Sequence, residues 1–166
     1  MPIAGALVWV GIGIAGAVLP LAGKVWAIWL GTGMIFYVGI GVARLIGEDL
    51  FGRTRPSNHF DRIFLLTVVQ AVSVYAIAIP FFLVEPTSLP MSVGILTGLM
   101  WVPFSGLIRH WVGLFHGLTR TAGVLIAWYL LPDLRFVAIP AVIVATYAAT
   151  ILILHRRYRR MVAAGA

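Results

Sequence analysis

The sequence predicts an all-α integral membrane protein, a bundle of six transmembrane helices with both termini in the cytoplasm. Three observations carry this expectation. Only 10% of the residues are charged while 61% are hydrophobic, and the mean hydropathy is +1.04. Soluble domains carry about 25% charged residues, so this chain lacks the side chains to cover a water-facing surface. Its apolar stretches run unbroken for roughly 20 residues, the length a helix needs to cross a ~30 Å hydrocarbon core. Its basic residues gather at alternate connections, as cytoplasmic loops require. Strands do not fit, because barrel strands are shorter and alternate in polarity. A helix, by contrast, satisfies its own backbone in lipid.

The spans follow in order. Span one runs from Ile3 to Leu21 and ends at Pro20 and Gly23. The chain begins directly on it, with no basic residue ahead of the apolar run to mark a cleavable signal. Span two runs from Val25 to Ile46, with Trp26 and Trp29 at its start, where interfacial indoles belong. Gly47 to Arg62 forms the one long polar connection. Span three, Ile63 to Val84, carries Gln70 inside and Pro80 near its end. Span four is Leu89 to Ile108, with Pro103 close to its end. Span five is Trp111 to Leu131, closed by Pro132 and Asp133. Span six is Phe136 to Leu154, and a basic cytoplasmic tail covers residues 155–166. All 166 residues then belong to a single transmembrane domain, with no room for a soluble one.

Orientation follows from the basic residues. Ten of the twelve fall on one side: four around the second-to-third connection, Arg109 and Arg120, and four in the tail. Lys24 and Arg135 fall on the other. The side with ten basic residues is therefore cytoplasmic. The net charge of +7 is explained by this asymmetry and does not imply nucleic-acid binding. The absence of cysteine excludes disulfides and thiol catalysis.

Several short motifs carry little chemistry. Gly11 to Gly16 matches a dinucleotide-binding glycine pattern, but it lies inside a span rather than between a strand and a helix. It reads instead as a close-packing face, with Gly31, Gly33, Gly39 and Gly41 as its counterpart in span two. These two faces are candidates for homo-oligomer contacts. Arg55 to Phe60 shares Arg-Pro and Pro-Ser-x-His elements with lipid phosphatases, but no third Ser-Arg…His motif follows to supply a nucleophile. His110 and His116 are six apart, on different helix faces, so no metal site is expected.

Span five is the exception to the plain hydrocarbon pattern. Arg120 lies nine residues past Trp111. At 1.5 Å per residue that is about 14 Å, near the middle of the core. Arg109, Gly113, His116 and Arg120 fall on one helical stripe. A polar, small-residue stripe on an apolar helix faces the bundle interior, and intramembrane ionisable groups mark functional positions. The expected site is a cytoplasm-facing polar pocket between spans two, three, four and five. Arg120, His116, Gln70 and Arg44 would line it, with Arg109 on the same stripe and Asp49 at its mouth. Alternatively, Arg120 bonds to carbonyls freed by Pro103, and the stripe is structural.

Ile46, Gly47, Asp49 and Phe51, then Pro56, Gln70 and the Pro103-Phe104-Ser105 triplet, resemble the pattern of an uncharacterised family of small bacterial multi-pass membrane proteins. The resemblance implies several spans and a bacterial cytoplasmic membrane, and it implies no activity.

The residues favour a transporter or channel for an anionic or proton-coupled ligand, with no cofactor. The alternative is a non-catalytic scaffold that contacts other membrane chains, or anionic lipid through its basic rim. No convergent acid–base or nucleophile set is present, so an enzyme is not expected.

Overall fold

The computed structural model describes residues 2–45 and 59–165, with the backbone alone at 36, 59–65, 67, 68 and 71. The described residues are helical, joined by short turns. The helices are α1 (Pro2–Val18), α2 (Leu21–Leu45), α3 (His59–Val84), α4 (Leu89–Leu99), α5 (Trp101–Leu107), α6 (Val112–Leu130) and α7 (Arg135–Ala163). Single 3-10 turns at Pro86–Ser88 and Pro132–Leu134 precede α4 and α7.

Proline sets several of the boundaries. Pro20 closes the turn between α1 and α2, where its carbonyl accepts from the Lys24 N–H at 3.0 Å. The fourth apolar run divides into α4 and α5 at Met100. Pro103 has no N–H to offer the Leu99 carbonyl four residues back, and its ring crowds that carbonyl, so the helix breaks there. Helix α2 is bent by 50° between Ile35 and Tyr37. The basic tail is not a separate segment, because residues 155–163 continue α7.

Helix α7 is the spine. It packs against α1, α6 and α4, while α2 lies on α1, α5 lies on α6, and α3 lies at the edge on α4. The core is continuous through Trp9 and Ile12 of α1, Val93 of α4, Val124 and Trp128 of α6, and Ile139 and Ile143 of α7. Close backbone approach needs glycine at the α1–α7 contact, where a Cβ at Gly16 would run into the Phe136 carbonyl. The exterior is apolar: Ile14, Leu30, Ile77, Leu83, Ile126 and Leu152 are all exposed. A surface of that kind is stable against hydrocarbon and not against water.

Two stretches are long and apolar enough to cross a membrane, Pro86–Leu107 and Pro132–Ala163, and the bent α2 makes a third if it is one span. The all-helical class holds, but six crossings are not reached among the described residues. Helix α1 has 17 residues, about 26 Å. The described apolar part of α3 is Val72–Val84. Helix α6 is diluted by His116, Thr119, Arg120 and Thr121.

Candidate functional site

The polar interior is assembled around α6. Arg120 and His116 are both fully buried, one helical turn apart on the face that meets α4, α5 and α7. Gly113 and Gly117 lie on the same face. A Cβ at Gly113 would strike the Trp101 carbonyl of α5, and one at Gly98 would come within 2.8 Å of Arg120 Cδ. Glycine at these positions lets α4 and α5 close down on the arginine.

The hydrogen bonds run in one direction. Arg120 Nη2 donates to Thr97 Oγ1 at 2.5 Å, and Thr97 Oγ1 donates to the Val93 carbonyl at 2.8 Å. Arg120 Nη1 faces His116 Nε2 at 3.5 Å. A guanidinium has only donors, so Nε2 is the acceptor and the imidazole proton sits on Nδ1. That Nδ1–H points to Thr150 Oγ1 at 2.8 Å, which donates in turn to the Thr146 carbonyl at 2.8 Å. One chain of bonds therefore ties α4, α6 and α7 together.

Aromatic rings close the cage. Trp101 stacks on His116 at 4.5 Å between centroids, and Tyr147 meets the same imidazole edge-on at 4.7 Å. The Arg120 guanidinium lies 5.3 Å from the Trp9 ring and 5.4 Å from the Tyr147 ring. Such contacts stabilise a desolvated cation by about 2 kcal/mol each, and they bring no counter-charge. Among the described residues no carboxylate pairs with Arg120, whose further polar neighbour is the Tyr147 hydroxyl, and Arg120 Nε and Trp9 Nε1 are buried without a partner. The cage is rich in donors and poor in acceptors.

The structure brings together only part of the expected set. Arg120 and His116 form the centre. Arg109 leaves the stripe, because α6 begins at Val112 and Arg109 occupies the preceding turn, exposed, with φ 49°. Gln70 is exposed on the peripheral α3, and Arg44 is exposed in the last turn of α2. Asp49 lies outside the described residues. The cage lies among α1, α4, α5, α6 and α7 rather than between the expected second to fifth spans. It is closed, and the Pro103 carbonyl alternative is not used: Arg120 binds a hydroxyl and an imidazole.

Sequence reasoning missed Thr97, Trp9, Trp101, Tyr147 and Thr150. The pair Thr146 and Thr150 at i, i+4 inside an apolar helix was the available signal. An apolar groove between α1 and α7, lined by Gly13, Ile14, Pro140 and Val144, shares Trp9 with the cage. No group of three His, Asp or Glu side chains converges among the described residues.

A second polar cluster lies at the opposite end of the bundle. Thr87 donates its backbone N–H and its hydroxyl to Glu85 Oε1, at 3.0 and 2.7 Å. Arg135 Nη1 donates to the same hydroxyl at 2.7 Å, Nε donates to the Trp128 carbonyl at 3.3 Å, and the guanidinium covers the Trp128 ring at 3.4 Å. These bonds hold the Glu85 carboxyl below its ordinary pKa, the Thr87 hydroxyl and backbone N–H first and the Arg135 charge last. The cluster staples the turn before α4 to the turn before α7.

An apolar exterior, membrane-length helices and a buried cationic centre define a helical protein of the membrane-associated class. The chain belongs to DUF7010, a family of unknown function, whose model matches residues 1–157. No curated protein and no solved structure matches it.

Proposed function

We propose that this chain is a six-span protein of a bacterial cytoplasmic membrane, with both termini inside, that takes up a small inorganic anion at Arg120. It acts by binding and passage rather than by catalysis. The observation that carries the proposal is the donor excess of the cage: a fully buried guanidinium beside unpartnered Arg120 Nε and Trp9 Nε1, with no described carboxylate to neutralise it. A buried charge is costly unless it is paired, and an anion supplies both the charge and the missing acceptor. The closed cage is then the occluded state, and Trp9, shared by the cage and the groove, is the side chain that would move.

The test uses the full chain in detergent micelles. Tryptophan emission is followed while sodium chloride, fluoride or nitrate replaces gluconate at constant ionic strength. A saturable change is expected, because Trp9 and Trp101 border the cage. It is lost in Arg120→Gln and kept in Arg44→Gln, with helical content unchanged in both. A wild-type response to none of the three anions, or an undiminished response in Arg120→Gln, overturns the proposal. Anion flux in proteoliposomes separates passage from binding alone.

A second reading, a non-catalytic scaffold, draws on the glycines. Gly16 and Gly31 pack within the chain, but among the described residues Gly11, Gly33 and Gly41 have nothing within reach of a Cβ. Such positions suit a second copy or another membrane helix. A self-associating chain with no anion response is the expected outcome of that reading.

A further inference from the structure

The end of the bundle that carries the arginines of α7 holds a charged notch around the turn between α5 and α6. The turn is held from several sides. Arg157 Nη2 donates to the Ile108 carbonyl at 3.1 Å. The His110 N–H donates to the Ser105 carbonyl at 3.0 Å, and the Val112 N–H donates to His110 Nδ1 at 3.2 Å. Held this way, Arg109 sits at φ 49°, a left-handed conformation uncommon for any residue but glycine, with its side chain exposed. Trp111 beside it is exposed and stacks on His110 with centroids 5.5 Å apart.

Helix α7 supplies the other wall. Arg160 lies about one turn beyond Arg157, on the same face of α7 that meets this turn through Arg157. The 29 residues of α7 extend about 43 Å, which exceeds a ~30 Å hydrocarbon core by more than two turns. The arginine end therefore stands at headgroup level, and the exposed Trp111 and Tyr158 mark the boundary there. The two acidic side chains described in the structure, Glu85 and Asp133, lie at the turns of the opposite end. Among the described side chains, the charged groups around this turn, Arg109 and the arginines of α7, are all basic.

We infer that this notch binds the phosphodiester headgroup of an anionic phospholipid, with Arg109 and Arg160 as the phosphate clamp and Trp111 seated against the glycerol region. Arginine offers two parallel donors to one phosphate, which a lysine cannot match. The site is independent of the Arg120 cage and stands or falls separately.

The experiment places the full chain in phosphatidylcholine vesicles that contain equal mole fractions of either dibrominated phosphatidylglycerol or dibrominated phosphatidylcholine. Bromine quenches nearby indoles, and the Trp111 share is the difference between wild type and Trp111→Phe. The Trp111 share is expected to be quenched several-fold more by the anionic lipid. That excess falls about fivefold with each of Arg109→Gln and Arg160→Gln, following the usual weight of one basic residue at an anionic surface. Arg109→Gly removes the charge while suiting the left-handed turn, and gives the same loss without disturbing the fold. Equal quenching by the two lipids, or an excess that survives Arg109→Gly combined with Arg160→Gln, overturns the assignment. Removal of the excess by millimolar inorganic phosphate also overturns it, in favour of a free-phosphate site.

Discussion

The bond between Arg120 and Thr97 gives the sharpest test of the interior. Thr97→Val keeps the shape of the side chain and removes the one short hydrogen bond that the guanidinium makes, at 2.5 Å. Interhelical bonds in membrane proteins average about 0.6 kcal/mol and reach about 1.7, while bonds to charged groups in soluble proteins contribute about 1.5–3. A charge-assisted bond in a fully buried place belongs near the top of the first range, so about 1.5 kcal/mol is expected. That is roughly a tenfold shift in the unfolding equilibrium. Arg120→Met removes the charge altogether; replacing a buried ionic group by an apolar one is often neutral or stabilising, by about 1–4 kcal/mol. The double variant should therefore regain what Thr97→Val loses, because no donor is left stranded. The assay is unfolding in mixed micelles, followed by helical ellipticity at increasing dodecyl sulfate. A coupling energy below about 0.5 kcal/mol, or strict additivity of the two changes, would refute the view that these side chains act as a unit.

Other outcomes follow from the same structure. Gly113→Ala forces a Cβ into the Trp101 carbonyl and should cost about 1–3 kcal/mol, whereas Gly11→Ala, in open space, should cost almost nothing; thermal unfolding in detergent compares them. Glu85 has its folded pKa lowered by Thr87 and Arg135, so the stability it contributes is fully present above the ordinary glutamate pKa of about 4.3 and is lost as pH falls through the lower folded value. A thermal-stability profile against pH should show that loss in the wild type and not in Glu85→Gln. Pro103→Ala restores a donor to the Leu99 carbonyl and should join α4 and α5 into one helix, slowing amide exchange at position 103 and displacing Trp101 from His116.

The helices were legible because lipid imposes a uniform rule: every long apolar run must close its own hydrogen bonds. What the runs did not reveal was where each helix would stop or turn. The divide at Met100 needed the reach of Pro103 back to Leu99. The length of α7 needed the knowledge that His155 to Arg160 stays helical despite its charge. At the site, Arg120 and His116 were readable because ionisable groups stand out against an apolar background. Their partners were not, because Thr97, Thr150, Trp9 and Tyr147 are ordinary side chains in membrane helices. Only the packing of α1 and α4 on α6 and α7 tells which of them meet. Arg109 was misplaced for a related reason: the stripe assumed a helix that had already begun, while a left-handed turn precedes α6.

The contact between α1 and α7 has a consequence for biogenesis. Of the helices described, the one made earliest, α1, finds its principal neighbour in the one made latest, α7. Until α7 is made, the glycine face of α1 that later accepts the Phe136 carbonyl and the Tyr147 ring must wait against lipid or a chaperone. Helix α6 meets a related delay. An arginine at mid-helix opposes membrane insertion by about 2.5–3.5 kcal/mol, and the hydroxyl of Thr150 that completes the bond chain around Arg120 arrives only with the following segment. Helices α6 and α7 should therefore enter the bilayer as a hairpin. A chain arrested before α7 would leave both α1 and α6 unsettled and exposed to quality-control proteolysis.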